Sequence, residues 1–121
     1  MPYKNKIMAY NEHLADRCRE IIAESEDVVE EKKMFGGLCF MVNEKMCIGV
    51  MKDKLMLRLH PEIMDEVLEM EGCELMDFTG KSMKGFVYVL EDVLSTKKQL
   101  NYWIQLALDY NPLAKSSKSK K

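Results

Sequence analysis

The spacing of apolar residues in this chain of 121 residues points to an α+β domain, an antiparallel sheet layered with helices. Three features carry that reading. Apolar positions recur at helical spacing near both ends of the chain. Three short apolar runs between positions 38 and 60 are separated by brief polar turns, and a further run, Phe86-Val87-Tyr88-Val89, follows a glycine-bounded loop. Helices kept apart from an antiparallel run of strands pack against it as a second layer. The expected order is α-β-β-β-α-β-α.

The elements follow in turn. Tyr10, Leu14, Cys18, Ile21 and Ile22 recur at helical spacing, with Glu12, Asp16, Arg19 and Glu20 between them, which is an amphipathic helix. The stretch from Glu24 to Lys33 reads as a charged connection. Leu38, Phe40 and Val42 alternate with the equally apolar Cys39 and Met41, the pattern of a central strand. Asn43-Glu44-Lys45 is a turn, Met46 to Met51 a strand, Lys52-Asp53-Lys54 a second turn, and Leu55 to His60 a third strand. Pro61 suits the first position of a helix, where its missing N–H costs nothing. Ile63, Met64, Val67 and Leu68 give that helix its buried stripe, and Gly72 stops it. A short extra strand near Leu75 is an option before the strand at Phe86. Thr96 and Gln99 have capping-box spacing for a last helix whose apolar face is Leu100, Trp103, Ile104, Ala107 and Leu108, ended by Asn111-Pro112.

Size and composition bound the function. With 14.1 kDa, 47% hydrophobic and 31% charged residues, the chain suits one globular domain, expected over residues 1–113, with 114–121 as a disordered Lys/Ser tail. No run approaches the roughly 18 apolar residues of a membrane span, and the start lacks a secretory h-region, so a cytoplasmic location is expected. The net charge is −2; the tail holds four of the 18 basic residues, leaving 14 basic against 20 acidic, a formal −6. Such a body opposes general nucleic-acid binding, which phosphate contacts dominate.

The chemistry-bearing residue types do not form a constellation. Cys18, Cys39, Cys47 and Cys73 lack C-x-x-C spacing and sit in apolar patterns, as core thiols do. Gly80-Lys81-Ser82 imitates the end of a phosphate-binding loop, but Leu75 stands where the motif needs glycine and a strand follows instead of a helix. Gly36-Gly37 reads as a kink at a strand head before it reads as a ligand cradle. Cys47 with His60 is the one nucleophile–base pairing worth naming. The 11 methionines are mostly expected as core filler, although some, with Leu38, Phe40 and Phe86, would make an adaptable surface for a partner chain.

Met34-Phe35-Gly36-Gly37, Leu55-Met56-Leu57-Arg58, Pro61-Glu62, Met76-Asp77-Phe78-Thr79-Gly80-Lys81, the run Met83 to Val89 and the Trp103 helix together resemble the N-terminal domain of the TfoX/Sxy family, over about Tyr10 to Tyr110. The resemblance implies a two-layer α+β fold similar to secretion chaperones and a link to regulation of natural competence. It brings no catalytic residue and no cofactor. Full-length regulators of this kind carry a second, helical domain, so a stand-alone N-terminal domain is expected here.

The expectation is therefore a non-enzymatic regulatory interaction domain that needs neither cofactor nor metal. It would bind a protein partner through a sheet face or edge, with a homodimer as one form. Partner contacts are expected at Phe35, Gly36, Gly37, Lys81, Met83, Lys84 and Gly85, where two glycine-hinged segments would converge. One alternative is a DNA-binding accessory protein using Lys115, Lys118, Lys120 and Lys121. The other is a small cysteine-dependent enzyme built on Cys47 and His60.

Overall fold

The computed structural model describes residues 10–25, 27–34, 37–78 and 81–114, with backbone alone at 34, 77–78 and 81–84. The chain begins with helix α1 (Glu12–Ala23) and continues through strands β1 (Val29–Met34), β2 (Gly37–Val42), β3 (Lys45–Val50) and β4 (Lys54–Arg58). A 3₁₀ turn at Pro61–Ile63 leads into the short helix α2 (Met64–Leu68). Strands β5 (Cys73–Phe78) and β6 (Lys81–Leu90) follow, then helix α3 (Lys97–Tyr110). The six strands form one antiparallel sheet in the order β1-β2-β3-β4-β6-β5.

The α+β architecture is as the sequence indicates, but the element order is corrected to α-β-β-β-β-α-β-β-α. The connection expected between Glu24 and Lys33 contains β1, and the optional strand near Leu75 is the six-residue β5. Both are edge strands. In β1 the run Val29-Glu30-Glu31-Lys32-Lys33 puts charges on both faces, which blunts an edge against unwanted pairing and hides the period-2 signal. In β5 the register shifts between Leu75 and Asp77, which breaks the alternation.

The helices cover one face of the sheet. Leu38, Phe40 and Val42 of β2, Ile48 and Val50 of β3, Leu55 and Leu57 of β4, and Val87 and Val89 of β6 form one buried cluster with Leu14, Cys18, Ile21 and Ile22 of α1 and Leu100, Trp103, Ile104 and Ala107 of α3. Caps set the helix starts. Asn11 accepts the Leu14 N–H at 3.0 Å, and Thr96 and Gln99 form the expected capping box. Side-chain ties lock the layers together. Arg17 donates to the Leu94 carbonyl at 2.8 Å, and Arg19 forks onto Glu31 of β1 at 2.7 and 2.8 Å. Buried Asn111 donates to the Val42 carbonyl and accepts from Asn43, both at 3.0 Å, pinning the end of α3 to the β2–β3 hairpin. In that hairpin Asn43 and Glu44 take φ of 53° and 68°, the positive values of a two-residue turn matched to strand twist.

Candidate functional site

Strand alternation decides what lies on the sheet's other face. Residues paired directly across neighbouring strands share a face. The row Lys32–Cys39–Gly49–Met56–Tyr88–Glu74 therefore crosses the whole sheet on the side away from the helices. Glu30 pairs with Met41, Met41 with Met46, and Arg58 with Phe86 on the same side. Cys39, Met56 and Met76 form a second buried cluster there, packed under half-buried Met41, Met46, Phe86 and Tyr88. No described helix takes part in that cluster.

Local chemistry shapes this face. At Gly49 an added Cβ would come within 3.0 Å of Met56 Cε, so the missing side chain is what lets Met56 fold back over β3. The Cys39 thiol lies 3.9 Å from the Met41 sulfur. Two cations rest on aromatic rings. Lys54 Nζ sits 4.1 Å from the Tyr88 ring centroid, and the Arg58 guanidinium carbon is 5.5 Å from that of Phe86. Such pairs hold the charge at the surface while the alkyl stems cover apolar area. Their common source is the β4–β6 pairing: Arg58 lies opposite Phe86, and Lys54 is a diagonal neighbour of Tyr88.

Of the expected contact residues, the structure places Gly37 and Gly85 at opposite ends of the sheet. The up-and-down strand order places the β1–β2 connection at one end of the sheet and the β5–β6 connection at the other. Gly37 lies against β3, where an added Cβ would collide with the Val50 carbonyl oxygen. Gly85 adopts φ of 86°, and its carbonyl accepts the Leu59 N–H at 2.7 Å. Val50 is joined through Leu55 to Val89, four residues along β6 from Gly85, about 13 Å at strand rise. Gly37 and Gly85 thus stand at opposite ends of the sheet, each fitted against neighbouring backbone. Phe35 and Gly36 lie outside the described residues, as do Lys115, Lys118, Lys120 and Lys121. Lys81, Met83 and Lys84 belong to β6, in the part that pairs only with β5. Leu38 and Phe40, grouped with the surface methionines from sequence, face the helices instead and are 4% and 0% exposed.

The thiols are buried. Burial pushes Cys18 and Cys47 up to about 12 and Cys39 and Cys73 up to about 11, the opposite of what a nucleophilic cysteine needs. Cys47 sits in the helix-side core, while His60 Nδ1 accepts the Glu62 N–H at 3.0 Å and its ring packs edge-on against Tyr110. Among the described residues no group of three or more His, Cys, Asp or Glu side chains has metal-site geometry. No described helix is long and apolar enough to cross a membrane.

A second surface feature escaped the sequence reading. Met70, Glu71, Val93, Lys98, Gln99, Tyr102 and Trp103 line an open groove of about 540 Å³, where the Tyr102 hydroxyl donates to the Met70 sulfur at 3.8 Å. Tyr102 and Met70 are 46% and 37% exposed, so this groove has an apolar floor and an open mouth.

Neither the curated proteins nor the solved structures contain a match to this chain. The profile of the TfoX N-terminal domain does match, over residues 20–110, from within α1 to the end of α3. That span covers the entire sheet and most of the helical layer, and the chain belongs to the TfoX N-terminal domain family.

Proposed function

We propose that this protein is a non-enzymatic regulatory interaction domain, linked to transcriptional or competence regulation and acting in the cytoplasm, that binds a protein partner through the sheet face opposite the described helices. The observation that supports the reading is the composition of that face. Met41, Met46, Phe86 and Tyr88 are half-buried over Cys39, Met56 and Met76, an apolar area made largely of adaptable methionines. Family membership supports the regulatory part, and buried thiols held well above their ordinary range speak against cysteine chemistry. The family resemblance also carries a proposed likeness to secretion chaperones. The β6 segment with Lys81, Met83, Lys84 and Gly85 is a proposed extension of the surface, because β6 runs directly from it into Phe86 and Tyr88.

The test is quantitative capture from native lysate with the wild-type chain and with Met46→Glu, read by mass spectrometry alongside sedimentation. The reading expects a protein retained by the wild type and lost at least tenfold with the variant. An identical retained set for both, or a strict monomer with no retained protein, contradicts it. Charge reversal at Lys81 and Lys84 that left retention unchanged would remove the β6 extension.

A further inference from the structure

The outer edge of β1 can be followed residue by residue along its backbone. The Asn43 N–H donates to the Val28 carbonyl at 2.8 Å, in register with the β1–β2 ladder. Bonded and non-bonded pairs alternate in such a ladder, so Val28, Glu30 and Lys32 turn their backbone groups toward β2. Val29, Glu31 and Lys33 turn theirs outward, and every residue from Val28 to Lys33 is exposed. An outer row of N–H and C=O groups is a template for another strand.

We propose that β1 pairs antiparallel with β1 of a second copy, about a two-fold axis through Glu31, joining two six-stranded sheets into one. This contact uses the sheet's edge and is independent of the binding proposed for its face. A two-fold axis normal to the sheet keeps both helical layers on one side and sets the central residue opposite its own copy. Centred on Glu31, it also sets Val29 opposite the partner's Lys33. These are the outward-pointing positions, so each such pair exchanges both of its N–H···O bonds. On the face opposite the described helices, Glu30 lies against the partner's Lys32 and Lys32 against the partner's Glu30. Opposite charges directly across two strands attract. The Glu31 carboxylates at the axis lie on the helical side, each already forked by its own Arg19 at 2.7 and 2.8 Å. Beside the edge, Ile22, Val29 and Phe40 line an open groove of about 250 Å³, which the alkyl stem of the partner's Lys33 would cover.

Charge selects both the register and the occupant. Moving the centre one residue back sets Glu30 against the partner's Glu30, and moving it one residue on sets Lys32 against the partner's Lys32. Like charges directly opposed are destabilising. The rival edge is β5 of another copy, but its register shift between Leu75 and Asp77 interrupts the ladder that a neighbour would follow. Pairing β1 with β5 would also run head to tail and leave the assembly open-ended. An unrelated strand lacks the acid-then-base order that β1 presents to its own copy. The charges that keep β1 from pairing indiscriminately thus admit one partner.

The experiment is sedimentation of the full chain over a concentration series, with charge variants of β1. The proposal expects a monomer–dimer equilibrium. Glu30→Lys and Lys32→Glu each oppose like charges on both sides of the axis, and each should weaken the dimer about tenfold or more. The double variant, Glu30→Lys with Lys32→Glu, exchanges the two charges and should restore the wild-type dissociation constant to within about threefold. An equimolar mixture of the two single variants should form a heterodimer, because each then offers what the other lacks, a result that misfolded chains could not give. Oxidative cross-linking reads the register. Glu31→Cys should form a disulfide across the axis, whereas Lys32→Cys, displaced along the strand from its copy, should not. A monomer at every concentration overturns the proposal. So does a dimer that survives both single variants, or a mixture of them that stays monomeric. A dimer that Met46→Glu dissolves while both single variants keep it also overturns it, and moves the contact to the sheet face.

Discussion

Single residues carry much of the tertiary specificity. Asn111 is 3% exposed and bonds to both Val42 and Asn43, so one amide joins α3 to the β2–β3 hairpin. Asn111→Ala leaves a buried carbonyl and the Asn43 amide without that partner, and a loss of about 2 kcal/mol is expected in urea unfolding. Arg19 and Glu31 form the corresponding tie between α1 and the edge strand β1. The Arg19 fork, hydrogen-bonded to Glu31, holds that carboxyl below its ordinary value of 4.5. A carboxyl whose folded-state value is depressed adds stability that is full above about pH 4.5 and is lost as pH falls through the folded value. Both side chains are more than a third exposed, so solvent screening limits the contribution to about 0.5 kcal/mol. In Glu31→Gln this part of the acid-side decline should vanish, which stability measured from pH 3 to 7 by chemical denaturation checks.

The elements show which signals survive in sequence and which do not. The capping box of α3 was legible from Thr96 and Gln99 alone, because capping depends on residues three apart. Thr96→Ala should cost about 1 kcal/mol in thermal or urea unfolding. The central strands were equally legible, since Leu38-Cys39-Phe40-Met41-Val42 is apolar on both faces. β1 was hidden because an edge strand protected by Glu30, Glu31, Lys32 and Lys33 has the composition of a loop. β5 was hidden by its bulge. Of the candidate site, the abundance of methionine was readable but its sorting was not. The period of two sends Leu38 and Phe40 to the helices and Cys39 and Met41 to the other side, a division that needs the helices' position. The Lys54–Tyr88 and Arg58–Phe86 pairs depend on β4 lying beside β6 instead of β5, a choice of topology that no local pattern encodes.

At the scale of the molecule, the sheet has two unlike sides. One is covered by the described helices around a large aliphatic and aromatic core. The other holds a small methionine cluster under half-buried rings and cations, with Glu30 and Lys32 on one edge strand and Glu74 on the other. A methionine-rich surface repacks at low cost around different apolar shapes, which is what the proposed interaction role requires. The methionines also provide an internal comparison, because Met64 lies in the helix-side core while Met41 and Met46 lie on the opposite face. Methionine-methyl NMR of the full chain, titrated with the protein that lysate capture retains, tests the docking face most directly. The account predicts shifted resonances at Met41 and Met46 and an unmoved Met64. Shifts at Met64 or Met70 with Met41 and Met46 unchanged would contradict it.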